Sequence, residues 1–340
     1  MEYLKKQFEE ELDAEGEVSI RGNVYSRTEI LSGVRPEAYE LALEEWVDER
    51  NQQLIEEADE YLEELDTIAR FERLKTSFAT SEMLPFVGAG MSIETGFPAW
   101  TPTLFKLQKM STIQEDELKE MLDRGEYEDA AQKLNDDLGA GLFNEKLEAI
   151  FAKALTPIGI VNFLPELFPR GTVITTNFDK LLEEVFKVSN QGFDEVETGR
   201  DLEEVLKQHA AGGRLLVKIH GHCTKLNARV LLASEYETAY EDDGVVSEFF
   251  NRIMFGRSML FLGCSLCVDR TILVMERIVN EHGAEKLPRH YAFLELRDDD
   301  DQGERERQLA RANIFPIWYP SGQHGAVEAF LVKLKSETDE

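Results

Sequence analysis

The stretch "LPFVGAGMSIETGFPAW" occupies residues 84–100. A short apolar run enters Gly88-Ala89-Gly90, Ser92 follows two residues later, and Phe97-Pro98-Ala99-Trp100 lies beyond the next turn. A strand that runs into Gly-x-Gly and then a helix start lets the backbone approach a pyrophosphate and offers N–H donors to it. Alone, this pattern also fits a plain glycine turn. Its spacing departs from the ordinary dinucleotide fingerprint, because Gly96 comes six residues after Gly90.

Similar runs recur downstream. "TVITT", "LLVKIHG", "MLFLG", "HYAFLEL" and "IFPIWY" are short and rich in β-formers, and helical patterns separate them. Continuous apolar runs suit parallel strands buried on both faces. Their alternation with helices predicts an α/β fold with a doubly wound, mostly parallel, Rossmann-like sheet. Residues 101–170 separate the first two strands and carry helical pattern broken at "DRGEYED" and "LGAGLFNEK". That is too long for a simple crossover and reads as a helical subdomain inserted into the sheet. "RDDDDQGERER" is a charged loop entering a late helix.

Upstream, residues 1–78 read as an acidic helical extension and 79–336 as the main domain. Ser26 and Glu29 form a capping box, Gly33 fits a helix end, and Pro36 fits the first turn of the next helix. From Pro36 to about Lys75, Tyr39, Leu43, Trp46, Val47, Leu54, Ala58, Leu62, Leu65 and Ile68 keep helical spacing. Such a face docks either on another subunit or on its own domain. The segment 222–258 reads as a short strand and a helix, with Tyr236 and Tyr240 one helical turn apart.

Composition narrows the function. The chain has 340 residues and is 42% hydrophobic, enough for a full core. A net charge of −30 repels phosphate backbones and argues against direct nucleic-acid binding, but a small phosphate held by backbone N–H groups stays possible. There is neither an apolar stretch long enough to span a membrane nor a signal-peptide core at the N-terminus, so a cytoplasmic protein is expected. Three cysteines, Cys223, Cys264 and Cys267, read as free thiols. Cys264 and Cys267 form a Cys-x-x-Cys, yet a structural zinc needs four ligands and only His222 and Cys223 stand as remote supplements, so no metal is expected.

The chemistry-bearing residues sit at predicted strand ends, where α/β sheets bind ligands. "VITTNFDKLLEEVF" ends a strand in Thr175-Thr176-Asn177, and Asp179 opens a helix. An amide there can orient a hydroxyl or a water, while Asp179 also reads as a helix N-cap. His220 ends the "LLVKIHGHC" strand. It reads as a base or a holder of a sugar hydroxyl, against the ordinary alternative of a structural histidine. Gly263 and Ser265 follow the "MLFLGCSL" strand and could contact a second ribose, and Asp269 fits an N-cap.

"GAGMSIETGFPAW", "TTNFD", "IHG" and "FLGCSL", in this order, resemble the sirtuin-type NAD-binding domain, in particular the sirtuin-like proteins of bacterial defence systems. The resemblance covers roughly residues 80–335 and implies NAD+ as substrate. It puts Gly88, Ala89, Gly90 and Ser92 around the phosphates and nearby ribose, with Thr176 on the same cofactor rim. Asn177 and Asp179 fall beside the nicotinamide ribose, with His220 opposite as the catalytic histidine. Gly263 and Ser265 fall near the adenosine ribose and His324 near the adenine, while Phe97–Trp100 would cover the nicotinamide end. Two departures bear on acyl-lysine recognition: the paired Cys-x-x-Cys zinc module is missing, and Pro98-Ala99-Trp100 stands where deacetylases carry Pro-Asp-Phe-Arg. The implied activity is NAD+ hydrolysis by an antiphage-defence effector. Deacylase, ADP-ribosyltransferase and non-catalytic NAD or ADP-ribose sensor are the alternatives. A homo-oligomer is expected, and the resemblance suggests a HerA-like ATPase or another defence sensor as partner.

Overall fold

The computed structural model describes residues 2–80, 83–198, 213–225, 228–267 and 270–338. Asp269, read as an N-cap, lies outside them.

The six predicted strands all form. Two further short strands, β1 (Val18–Ile20) and β2 (Asn23–Tyr25), make a separate antiparallel hairpin near the N-terminus. The predicted six are β3 (Met83–Val87), β4 (Thr172–Thr175), β6 (Leu215–Lys218), β7 (Ser258–Leu262), β8 (His290–Leu296) and β9 (Ile314–Pro320). A seventh strand, β5 (Glu195–Thr198), joins them at one edge, giving the parallel order β5-β6-β4-β3-β7-β8-β9. β3 is central, with Phe86 level with Ile174 on one side and Phe261 on the other. Every residue of β3, β4, β6 and β7 is buried. This is why these runs carry no polar alternation. The chain builds outward from β3 through β4 to β6, then returns to start β7 on β3's other side. The carboxyl ends of β4, β3 and β7 therefore flank a crevice at the point where strand order reverses.

Helices cover both faces. One hydrophobic cluster joins Val87, Val173 and Leu262 to the N-terminal helices, the insert and the last helix, Ala326–Ser336. The other joins Leu84, Phe86, Ile174 and Val217 to helices Ala233–Tyr240, Val245–Ile253 and Arg270–His282. The insert between β3 and β4 is helical, with breaks at Gly125 and Gly139.

The long helix Pro36–Glu64 starts on Pro36 as expected, and the Ser26–Glu29 capping box forms. Gly33, read as a helix end, instead lies inside helix Arg27–Val34, which runs one residue further and is capped at Arg35. Of the apolar residues singled out, Tyr39, Val47, Leu54, Ala58 and Leu62 are buried within the chain itself. The next helix, Ile68–Thr80, packs Phe71 6.2 Å from Phe330, while Arg70 forms a two-pronged ion pair with Glu306 at 2.7 and 2.8 Å. Much of the apolar face thus packs within its own chain, chiefly on helix Ala326–Ser336 and the neighbouring N-terminal helices. The strand expected within 222–258 is absent among the described residues; two helices, Ala233–Tyr240 and Val245–Ile253, stand there.

Candidate functional site

Parallel strands bring all the predicted residues to one edge of the sheet. Gly88 follows β3, Thr176 and Asn177 follow β4, His220 ends two residues past β6, and Gly263 follows β7. His324 and Ser265 are exposed near the same edge. β9, which leads to His324, lies three strands from β3, about 14 Å at the usual interstrand spacing.

The glycines have a cause inside the chain. Gly88 N–H donates to Leu262 O at 2.8 Å and Gly90 N–H to Gly263 O at 2.9 Å. A Cβ on Gly88 would stand 2.5 Å from Gly263 O, and one on Gly90 would stand 2.9 Å from Gly263 Cα. Gly263 itself has φ +65, and its Cβ would lie 2.6 Å from Met91 N. The three glycines let the turn after β3 cross directly over the end of β7. The N–H groups of Gly88 and Gly90 are thus engaged by β7.

Asn177 is 8% exposed, and its amide orientation is decided by its neighbours. Gly88 O is a carbonyl and accepts only a donor, so Nδ2 must face it, at 3.0 Å. Nδ2 also donates to Ser92 Oγ at 3.0 Å. Both amide hydrogens are committed, so Oδ1 is the end left to accept a hydrogen bond from a bound hydroxyl or water. Ser92, having accepted from Asn177, turns its own hydrogen to the Asp179 carboxylate. Asp179 Oδ1 also accepts Leu181 N–H at 2.9 Å, but the N-cap of helix Leu181–Val188 is Lys180, so Asp179 stands one residue before the N-cap position read from sequence.

Burial pushes the Asp179 carboxyl above its ordinary range. Lys218, Leu181 N–H and Ser92 oppose that rise without cancelling it. Sequence reading missed the cation beneath. Lys218 is 1% exposed. Its Nζ donates to Asp179 O and reaches both Glu183 oxygens at 3.2 Å. Burial alone would raise the Glu183 carboxyl; Lys218 and His222 outweigh it, and the net shift is downward. His222 Nδ1 accepts Thr224 N–H at 3.1 Å, so the proton sits on Nε2, which donates to Glu183 Oε1 at 3.2 Å. The sequence of β6 offered a signal: Lys218 interrupts an apolar run, and a buried lysine needs a carboxylate.

A cleft of about 370 Å³ opens over these groups, lined by Ala89, Ser92, Pro98, Trp100, Phe151, Thr176, Asn177, Phe178 and Asp179. Trp100 sits edge-on to Phe178 at 5.5 Å, and Phe151, from the insert, lies 6.0 Å from Phe178. The structure thus brings together Ala89, Ser92, Thr176, Asn177 and Asp179 around one cleft with aromatic walls. His220 is not among the lining residues. Its ring is held by helix Ala233–Tyr240, with Tyr240 Oη 2.8 Å from Nε2.

Cys223, Cys264 and Cys267 are free thiols. Among the described residues no group of three His, Cys, Asp or Glu side chains could hold a metal ion, and no helix is long and apolar enough to cross a membrane.

No curated protein matches the chain. A family model described as SIR2-like domain matches residues 171–317, under half of the chain. The match includes Thr176, Asn177, Asp179, His220, Gly263 and Ser265; the glycine loop 88–92 and His324 lie outside it. This match over residues 171–317 supports a sirtuin-like fold and is compatible with NAD-related activity.

Proposed function

We propose that the chain hydrolyses NAD+ at the nicotinamide–ribose bond, giving nicotinamide and ADP-ribose. The observation that carries this reading is the cleft in which Asn177, Ser92 and Asp179 meet under Trp100, Phe151 and Phe178. A planar pyridinium carboxamide matches aromatic walls plus a few polar groups. In the reaction the C1′–N bond breaks, and its electron pair neutralises the pyridinium nitrogen, so no general acid is needed. Water adds to C1′ of the oxocarbenium-like sugar and loses one proton. Asn177 Oδ1 is the group to orient that water or a ribose hydroxyl. The buried Asp179 carboxylate supplies negative potential beside the developing cation. His220 would hold a ribose hydroxyl and accept the proton.

In this reading residues 79–336, with the insert 101–170, form the NAD+-binding unit, and 1–78 is a helical extension on it. The adenosine end would run along the strand edge past Gly263 and Ser265 towards His324. Depleting NAD+ harms the host, so the activity calls for control through oligomerisation or a partner such as a HerA-like ATPase, as suits a defence effector. Two measurements test the proposal. Nicotinamide release by the purified chain should vanish in Asn177→Ala; release at the wild-type rate refutes the site. Inducible expression in bacteria should lower extract NAD+ with the wild type and not with Asn177→Ala; equal levels count against the cellular role.

A further inference from the structure

Helix Ala233–Tyr240 sets two tyrosine hydroxyls against one histidine. Tyr240 Oη lies 2.8 Å from His220 Nε2, and Thr271 Oγ1 lies 3.3 Å from the same hydroxyl. Tyr236 Oη stands 3.3 Å from Nδ1 and 3.4 Å from Nε2, a looser approach from one turn away. The Tyr236 ring meets the imidazole edge-on at 5.1 Å. All three side chains are buried. A tyrosine hydroxyl keeps its proton at neutral pH and can both donate and accept. The group bonded to one imidazole nitrogen sets the tautomer and the plane of the ring.

The helix that carries these hydroxyls is tied down from several sides. Glu235 accepts the N–H groups of Leu231 and Leu232 at 3.0 Å each and pairs with the buried Arg229 at 3.2 Å. Arg229 also bonds Asn144 of the insert. Arg270 lies over the Tyr236 ring at 5.7 Å while paired with Glu128 of the insert at 2.6 Å. So much support is more than a short helix needs to fill space; it places the hydroxyls.

The geometry points to Tyr240 as a positioning residue that acts through His220, its hydroxyl fixing the orientation of the imidazole, with Thr271 as the next link and Tyr236 as a second support. This rests on the proposed role of His220 in NAD+ cleavage. Tyr240→Phe keeps the ring and its packing and deletes only the hydroxyl. The test combines nitrogen-15 NMR of labelled histidine in the full chain with steady-state NAD+ cleavage. In Tyr240→Phe the His220 ring nitrogens should shift and its titration should move, while kcat falls about tenfold at nearly constant KM, a fraction of what an acid–base group contributes. Thr271→Val should move both readouts the same way by less, and it carries the test if Tyr240→Phe does not fold. Ring-nitrogen shifts that superimpose on the wild type, or an unchanged kcat, overturn the inference. If His220→Ala instead cleaves NAD+ at the full rate, the reading of His220 itself is what fails.

Discussion

Asn177 Nδ2 donates to Gly88 O at 3.0 Å and so ties the carboxyl ends of two adjacent parallel strands together beneath the cleft. One side chain therefore both closes the structure and presents Oδ1 to a ligand. Asn177→Ala should cost about 1–2 kcal/mol in urea unfolding, for the lost hydrogen bonds. It should also lower NAD+ cleavage at least 100-fold, as removal of a fixed polar group in an active site does. Asn177→Asp should fare worse in stability, because it sets a carboxylate oxygen against the Gly88 carbonyl.

Gly263 should tolerate alanine least among the three crossing glycines. Its φ of +65 disfavours a side chain, and its Cβ would meet Met91 N at 2.6 Å. Strain of about 1–2 kcal/mol for the left-handed backbone adds to about 1–3 kcal/mol for overpacking. Thermal unfolding of Gly263→Ala beside Gly90→Ala checks the ranking, with the larger drop in Tm expected for Gly263→Ala.

Asp179→Asn should be more stable than the wild type at pH 7 while losing activity. The folded-state carboxyl is raised by burial, so the folded protein holds the proton where the unfolded chain has already released it. Stability of the wild type therefore falls as pH rises from the ordinary carboxylate range through the folded pKa, and Asn escapes that loss. The gap in Tm should shrink as pH drops below about 4, where both states of the wild type are protonated. A gap that stays constant with pH would place the effect elsewhere than the carboxyl charge.

The helical region bears on assembly. Val34, Leu41 and Ile68 remain exposed, at 72%, 59% and 51%, and are among the apolar residues left for a second copy. Light scattering of the full chain at micromolar concentration should show an oligomer that weakens in Val34→Asp/Leu41→Asp; a monomeric wild type contradicts this. Removal of residues 1–75 is no clean test, because it would strip Phe71 and Leu62 from Phe330 and Leu334. Phe71→Ala alone should cost about 3–5 kcal/mol.

The six buried strands were legible because burial on both faces leaves an unbroken apolar run, as in Met259–Leu262. The edge strand Glu195–Thr198 was not, because its half-exposed residues mix charge with β-branching. The hairpin turn at Arg21-Gly22 needs two positive φ values, and Arg at the first of them hid it. At the site, Gly88 and Ser92 after β3 meet Asn177 after β4, since strand ends are local features on a parallel sheet, whereas His220 after β6, read on the same rim, does not line that cleft. Lys218, Glu183 and His222 could not be joined from sequence, because only the parallel pairing of β4 and β6 brings Lys218 beside the loop that follows β4. The glycines were recognised, but the reason most visible in the structure is contact with Gly263, some 170 residues away in the chain.

NAD+ hydrolysis requires that water be the acceptor. The most direct test is chromatography with mass spectrometry of NAD+ incubated with the purified chain, with and without an acetyl-lysine peptide, alongside metal analysis. Hydrolysis gives equal amounts of nicotinamide and ADP-ribose without peptide, no acetylated ADP-ribose with it, and no stoichiometric zinc. Cleavage that requires the peptide and yields acetylated ADP-ribose, or one tightly held zinc per chain, would contradict it.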